Sequence, residues 1–199
     1  DFKDWQNEFL PVHGFRLTES TLSGTISDAL EKLLPRTAPI STRYLFWPLN
    51  EEWTLYFDNA RLGTDASPPS VLASRLHTDA MRISMADELV ESVTGKPSQY
   101  GSTIFEYYED AVALRYVFAV NDGGKWRFGQ GGTPFHFEKN EMYKSCFARK
   151  RLTASVLLQY LSELNASLDG SRESPFEHGP GVLLVKSGKM PRDYQEFHE

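Results

Sequence analysis

The sequence has almost no cysteine. Cys146 is the only one among 199 residues, so an intramolecular disulfide cannot form and disulfide-rich secreted scaffolds are excluded. No apolar run approaches the roughly 20 residues that a membrane-spanning helix needs, and no signal-peptide pattern is visible. These absences favour a reducing compartment, and we expect a cytoplasmic protein.

Catalytic and metal-binding motifs are also missing. The five histidines occur singly, without the paired spacing that zinc sites use. His136 and Glu138 have the His-x-Glu spacing of zinc deaminases, but those enzymes also need a Cys-x-x-Cys pair. The glycine-rich stretch 129–132 lacks the lysine of a phosphate-binding P-loop. We therefore expect no metal and no cofactor, and the sequence specifies no reaction.

Basic residues are scarce in the first 110 positions, which carry 9 basic and 17 acidic side chains, whereas residues 111–199 carry 12 basic and 10 acidic ones. The densest acidic stretch contains Asp87, Glu88, Glu91, Glu106, Glu109 and Asp110. These six residues form either a solvated face or a patch that attracts a protein partner with a basic surface. An acidic chain is poorly suited to nucleic acid or anionic membranes, so we expect neither as a partner.

The composition that remains is that of an ordinary globular protein. Forty per cent of the residues are hydrophobic and 13% are aromatic, which suffices for a sizeable core. We predict one domain over residues 1–199, with an N-terminal extension over residues 1–17 and a loosely held charged tail over residues 190–199. The order of apolar patterns predicts an α+β fold: one largely antiparallel sheet of about six to seven strands with four to five flanking helices.

Alternating apolar residues mark the strands of this sheet. Residues 43–58 read as a hairpin with a turn at 50–52, and residues 103–108 and 182–185 read as strands. The clearest strand is Ala111–Val120, which the turn 121–124 connects to an antiparallel partner beginning at Lys125. We predict one shared, buried apolar face, made of Trp53, Leu55, Phe57, Leu114, Tyr116 and Phe118.

Capping residues and three-to-four spacing mark the helices. We predict a helix that Thr18 or Ser20 caps and that runs to Leu34, and another that follows Asp65. A third, Glu138–Lys150, would turn Cys146 inward, and Thr153 would cap a fourth. The basic cluster Lys144–Arg151 fits either a phosphate contact or a solvated helix end.

Three segments carry a resemblance to known proteins: Trp53–Asn59, Gly63–Asp65, and Trp126–Gly129 with Pro134-Phe135. Across residues 40–168 the chain resembles small bacterial proteins without catalytic motifs, some of which are similar to immunity proteins of polymorphic or contact-delivered toxins. The resemblance implies a cytosolic protein that occludes a cognate toxin, and it brings no catalytic residues with it.

Three hypotheses about function follow. The leading one is a non-enzymatic binding protein, most concretely an immunity protein that neutralises a toxin by occlusion. The alternative is an enzyme or toxin-like domain with a cleft near the 58–65 and 129–136 loops. A structural subunit would instead expose a large apolar patch. The oligomeric state stays open.

Overall fold

The fold is α+β, as the sequence predicts. Over the described part of the chain, the computed structural model contains four α-helices and two four-stranded and two two-stranded sheets, and the strands that pair within them are antiparallel. The prediction of one sheet with six to seven strands is therefore wrong. No helix in the described ranges is long and apolar enough to cross a bilayer. The structure describes residues 1–61, 67–92, 94–95, 97–110, 112–168 and 179–198.

The chain divides into two compact units, Asp1–Asp65 with Asp169–Glu199, and Ala66–Leu168. The elements of the first unit are α1 (Phe2–Asn7), β1 (Phe15–Leu22), α2 (Ile26–Glu31), β2 (Arg36–Ala38), β3 (Arg43–Pro48), β4 (Thr54–Asp58), β11 (Gly181–Gly188) and β12 (Gln195–Phe197). They form a four-stranded sheet in the order β1-β11-β3-β4 and a two-stranded sheet that pairs β2 with β12.

The predicted hairpin is confirmed as β3 and β4, in which Trp47 lies opposite Leu55. The side chain of Asn50 closes its turn by accepting hydrogen bonds from the backbone N–H groups of Glu52 and Trp53, at 2.9 and 2.8 Å. Trp47 belongs to the buried cluster on one face of β3. On the other face, Phe46 packs against Phe2 of α1, with ring centroids 5.2 Å apart.

The predicted helix from Thr18 or Ser20 to Leu34 is wrong over its first half. That half is β1, whose threonines suit an extended backbone better than a helix. Gly24, at a φ of +110°, then breaks the chain direction, and Thr25 caps the short α2 through a capping box with Asp28. Within the predicted tail 190–199, residues 195–197 form β12 and pair with β2.

The elements of the second unit are α3 (Ser67–Leu76), β5 (Asp79–Ala86), β6 (Leu89–Val90), β7 (Pro97–Gln99), β8 (Ser102–Glu109), β9 (Val112–Asn121), β10 (Trp126–Gly132) and α4 (Ala154–Glu163). They form a four-stranded sheet in the order β10-β9-β8-β5 and a two-stranded ribbon of β6 and β7. The helix predicted after Asp65 and the strands predicted at 103–108 and 111–120 are confirmed, while Asp65 itself lies outside the described residues.

The two faces of β9 are reversed relative to the prediction. Leu114 and Tyr116 are 40% and 41% exposed, whereas Arg115 is 1% exposed and Val117 is fully buried. Val117 and Ala119 are fully buried. Small residues fit there because aromatic side chains from other elements fill that side of the sheet. Phe105 of β8 and Tyr160 of α4 supply two of them, with ring centroids 6.1 Å apart.

The predicted shared core is also wrong, because β4 and β9 belong to different sheets. Trp53, Leu55 and Phe57 are only partly buried, and they lie in the first unit. Leu114, Tyr116 and Phe118 lie on the outer face of the second unit's sheet, where none of them is fully buried.

The predicted helix Glu138–Lys150 is replaced by two 3₁₀ turns, Met142–Lys144 and Ala148–Lys150. Extended backbone at Ser145 and Phe147 separates them, so the side chains do not keep a helical period. Tyr143 points inward, and Cys146 is exposed rather than buried. Thr153 does cap the following helix, since its hydroxyl accepts a hydrogen bond from the Val156 N–H.

Candidate functional site

An open cleft of about 390 Å³ lies in the second unit, between the first residues of β8 and the N-terminus of α4. We call it the β8–α4 cleft. Met85 of β5 and Leu152 contribute apolar surface to it. The polar and aromatic groups that line it come from five different elements or loops: Asp87, Glu88, Thr103, Trp126, Arg149 and Thr153.

Strand alternation places Thr103 and Trp126 in the cleft. Thr103 and Phe105 point to the same face of β8, and Phe105 contacts the ring of Tyr160 in α4, so this face looks toward the helix. Trp126 begins β10, and its ring covers Gly101. A Cβ at position 101 would lie 2.8 Å from the indole ring, so the ring requires a glycine there.

Thr103 lines the cleft although most of the residue is buried. Thr103 is 7% exposed, and its side chain makes no hydrogen bond to any residue that the structure describes. The cleft therefore presents a hydroxyl group that can form a hydrogen bond.

Acidic residues border one part of the cleft. The side-chain amide of Gln99 donates a 2.9 Å hydrogen bond to the backbone carbonyl of Asp87, which holds the start of this loop in place. The carboxylate of Asp87 has neither a hydrogen bond nor an ion pair within the described ranges. The carboxylate of Glu88 accepts a hydrogen bond from the Asn121 side chain. Asp87 thus offers an uncompensated negative charge.

A positive region lies in the same cleft. The guanidinium of Arg149 is not paired with any described residue. It precedes α4, whose first residue, Ala154, also lines the cleft. The N-terminus of a helix carries partial positive charge because its first N–H groups have no partner within the helix. The cleft is therefore dipolar, with separate acidic and basic parts.

A second group of ionisable residues is buried and closed. Arg115 donates to Glu138 through two hydrogen bonds of 2.8 and 2.6 Å, and it also reaches the backbone carbonyl of Gly131 at 2.9 Å. Glu138 accepts a further 2.6 Å bond from the Tyr143 hydroxyl, which lies 3.1 Å from the hydroxyl of Tyr160. These four side chains are linked to one another by hydrogen bonds.

The pKa values of this buried network follow from the pairing. Burial opposes the charged forms, but the mutual hydrogen bonds outweigh it, so the pKa of Arg115 is raised and that of Glu138 is lowered. Burial, followed by the hydrogen bond to Glu138, raises the pKa of Tyr143. Arg115 and Glu138 therefore stay ionised, and their pair stabilises the interior of the second unit. Glu138, the acid of the His-x-Glu pattern, accepts hydrogen bonds from Arg115 and Tyr143.

The six predicted partner-binding acids do not form one patch. Glu106 is paired with Arg82 at 3.2 Å in mid-sheet, and Asp110 contacts His77 at 3.3 Å. The eight residues of β8 separate the Asp87 end of the sheet from the Glu109 end by about 23 Å at the usual strand rise. Of the six, the cleft contains Asp87 and Glu88.

The alternative cleft near the 58–65 and 129–136 loops is not described as one site. Residues 62–65 lie outside the described residues, as does the Gly63–Asp65 segment of the resemblance. The two loops belong to different compact units. Residues 129–132, the glycine-rich stretch, form the end of β10. Among described residues, no group of three or more histidine, cysteine or acidic side chains is placed to hold a metal ion.

For two residues of the cleft, the sequence analysis noted a feature other than the acidic stretch. Arg149 belongs to the basic cluster Lys144–Arg151, and Trp126 follows the predicted turn 121–124. Thr103 had no signal, because a lone threonine in a strand is common. The chain matches no protein-family model, no curated protein and no solved structure.

Proposed function

We propose that the chain is a non-enzymatic binding protein that recognises a basic surface of a protein partner. The observation that carries the proposal is the placement of Asp87 and Glu88 beside Trp126 in the β8–α4 cleft. An aromatic side chain within a recess and charged groups around it are typical of the energetic centre of protein interfaces. A lysine or arginine of the partner can stack on the indole ring while Asp87 neutralises its charge.

The state of the ionisable groups also favours binding over catalysis. Catalytic groups need an accessible position from which they contact a substrate. Arg115, Glu138 and Tyr143 have clearly shifted pKa values, but they are buried and hydrogen-bonded to one another. Their pKa shifts are explained by structural pairing, and therefore do not argue for an enzyme.

The most specific form of the proposal is an immunity protein that acts in the cytoplasm and occludes a cognate toxin. Its support is the resemblance over residues 40–168 and the acidic groups at the cleft. Occlusion requires complementary charge and buried anchors, and it requires no chemistry. Since the acidic chain disfavours nucleic acid and anionic membranes, the partner in this proposal is a protein.

The test is a binding footprint. The tagged protein captures partners from its source cells, and the purified partner is titrated into ¹⁵N-labelled protein while NMR spectra are recorded. We expect the largest changes at the backbone amides of Asp87 and Glu88 and at the indole N–H of Trp126, because these groups lie at the cleft. A footprint confined to the Glu109–Asp110 end would contradict the proposal. A small molecule that raises the melting temperature while no protein partner is recovered would instead favour the enzyme.

A further inference from the structure

The glycine-rich end of β10 supports two aromatic side chains of β9. Gly129 lies opposite Phe118, and Gly131 lies opposite Tyr116. A Cβ at Gly129 would lie 2.4 Å from the ring of Phe118, and a Cβ at Gly131 would lie 2.4 Å from the ring of Tyr116. Both rings therefore lean across the neighbouring strand and lie over its backbone. Glycine within a strand marks such close approaches, so the Gly-Gln-Gly pattern of the sequence accommodates two rings.

The two rings form one flat surface. Their planes differ by 14°, and their centroids are 6.3 Å apart. In Tyr116, Cε1, Cζ and Oη lie 2.4, 2.6 and 2.7 Å from the Cβ position of Gly131. Three adjacent ring atoms are so nearly equidistant from one point only when that point lies beneath the face of the ring. Tyr116 and Phe118 thus lie flat and side by side over β10, and we call this pair the aromatic platform.

The aromatic platform is open to solvent and separate from the β8–α4 cleft. Tyr116 is 41% exposed, whereas Val117 and Ala119 are fully buried on the other face of β9. Thr103, which lines the cleft, lies opposite Ala119 and so points to that other face. The two surfaces therefore lie on opposite faces of one sheet.

A charged pair borders the aromatic platform on the side of β8. Glu106 lies directly opposite Tyr116 and therefore on the same face of the sheet. Its carboxylate accepts hydrogen bonds from Arg82 at 3.2 Å and from the Tyr108 hydroxyl at 2.9 Å. Both bonds use Oε2, so Oε1 can accept a hydrogen bond from a ligand. The surface thus combines flat apolar rings with a carboxylate held in place beside them.

This combination suits a carbohydrate better than a nucleic acid. The face of an aromatic ring is negative and attracts the C–H groups on the flat side of a sugar ring, while the sugar hydroxyls form hydrogen bonds to charged groups. Nucleobases also stack on aromatic rings, but the phosphates of a nucleic acid need free cations. The arginines of this face, Arg82 and Arg127, are paired with Glu106 and Asp122.

We infer that the aromatic platform binds a β-1,4-linked saccharide chain, with two consecutive sugar rings on Tyr116 and Phe118. In such a chain the hydroxyl groups project from the ring edges and the chain is extended and flat, so that consecutive rings lie side by side as the two aromatic rings do. The carboxylate of Glu106 accepts a hydrogen bond from a sugar hydroxyl. This binding goes beyond the proposed recognition of a protein partner, and it uses a different surface.

The test compares chains of different linkage. Cellohexaose and chitohexaose are β-1,4-linked, whereas maltohexaose contains the same glucose units as cellohexaose in a coiled, α-1,4-linked chain. Each is titrated into ¹⁵N-labelled protein, and binding is followed at the backbone amides of Gly129 and Gly131, which lie beneath the rings. We expect at least one β-1,4-linked chain to bind about fivefold or more tightly than maltohexaose, because a coiled chain places one sugar ring on the platform instead of two.

Substitutions test the platform itself. Tyr116→Ala should weaken binding of the β-1,4-linked chain about fivefold or more, and Tyr116→Phe should retain it, because stacking needs the ring and not the hydroxyl. Gly131→Ala keeps both rings but forces that of Tyr116 to lift, so it should weaken binding similarly, as followed at the Gly129 amide. Position 131 lacks a positive φ, so the added Cβ acts only through this contact. The matched control is Tyr100→Ala, which removes a 49% exposed tyrosine outside the sheet and should change nothing.

Three results would overturn the inference. One is the absence of any shift at Gly129 and Gly131 with both β-1,4-linked chains. Another is binding of maltohexaose as tight as that of the β-1,4-linked chains. The third is tighter binding of octathymidylate than of either chain at the same two amides, which would make the surface a nucleobase platform. Each of these results leaves the proposed recognition of a basic protein at the β8–α4 cleft intact.

Discussion

Arg115 and Glu138 are buried charges that depend on each other. Their side chains are 1% and 0% exposed, and each would be strongly unfavourable alone in the core. We expect Glu138→Gln to lower the free energy of unfolding by about 3–5 kcal/mol, because the guanidinium of Arg115 loses its countercharge while it stays buried. Urea denaturation of the variant and of the wild type measures this difference.

Glu141→Gln is the matched control. Glu141 forms an exposed ion pair with Lys144 at 2.9 Å, and exposed pairs contribute at most about 1 kcal/mol. The two variants make the same chemical change three residues apart. Equal losses of stability in both would show that burial does not strengthen the Arg115–Glu138 pair.

The lowered pKa of Glu138 gives this pair a pH dependence. A carboxyl group whose pKa is lower in the folded than in the unfolded chain stabilises the fold above its unfolded pKa of about 4.3. That contribution declines as the pH falls below about 4.3 and is lost once the pH drops through the folded pKa. We therefore expect the stability difference between wild type and Glu138→Gln to be constant near pH 7 and to shrink below about pH 4. A difference that grows on acidification would contradict the lowered pKa.

At the scale of elements, the end of β10 is fixed by its close approach to β9. Gly132 has a φ of +79°, and a Cβ there would lie 1.8 Å from the backbone oxygen of Leu114. Gly123 has a similar φ of +74° but no atom within 4 Å. We expect Gly123→Ala to cost about 1–2 kcal/mol from backbone strain alone, and Gly132→Ala to cost about 1–3 kcal/mol more because strands must separate. Thermal denaturation of both variants measures the two costs, and equal losses would contradict the contact.

Strands were more predictable than the faces they bury. The alternation in β9 fixes its extent, but both of its faces are apolar, so local pattern does not say which one is inside. The single charge on the inner face, Arg115, argues for an outward face until Glu138 is known to reach it from 23 residues away. That ion pair depends on the conformation of the loop after β10, and no local sequence pattern predicts it.

The site was less predictable than the fold. Local charge density indicated Asp87 and Glu88, and the basic cluster contained Arg149. Their common cleft depends on β8 and α4 lying close together, with Thr103 and Trp126 between them. Such contacts between distant parts of the chain are set by packing, and a single sequence carries no record of them.

At the scale of the whole molecule, the net charge of each compact unit differs from the net charge of the two sequence halves that meet at position 110. The second unit, Ala66–Leu168, carries eleven acidic and eleven basic side chains and is neutral. The net charge of −6 therefore belongs to the first unit. Asp87 and Glu88 act as a local acidic group in a neutral unit, so their main effect on a bound partner should be direct contact.

The rate constants of complex formation show whether a basic partner binds at the Asp87 end of the sheet. The variants are Asp87→Lys/Glu88→Lys and the matched Glu109→Lys/Asp110→Lys, which change the net charge equally at opposite ends of β8. Both should slow association, and that effect should fade as the Debye length falls from about 10 Å at 0.1 M salt to about 3 Å at 1 M. We expect only the Asp87→Lys/Glu88→Lys variant to speed dissociation, because only these residues contact the partner. Equal dissociation rates for the two variants, measured with the purified partner by surface plasmon resonance, would contradict binding at the Asp87 end.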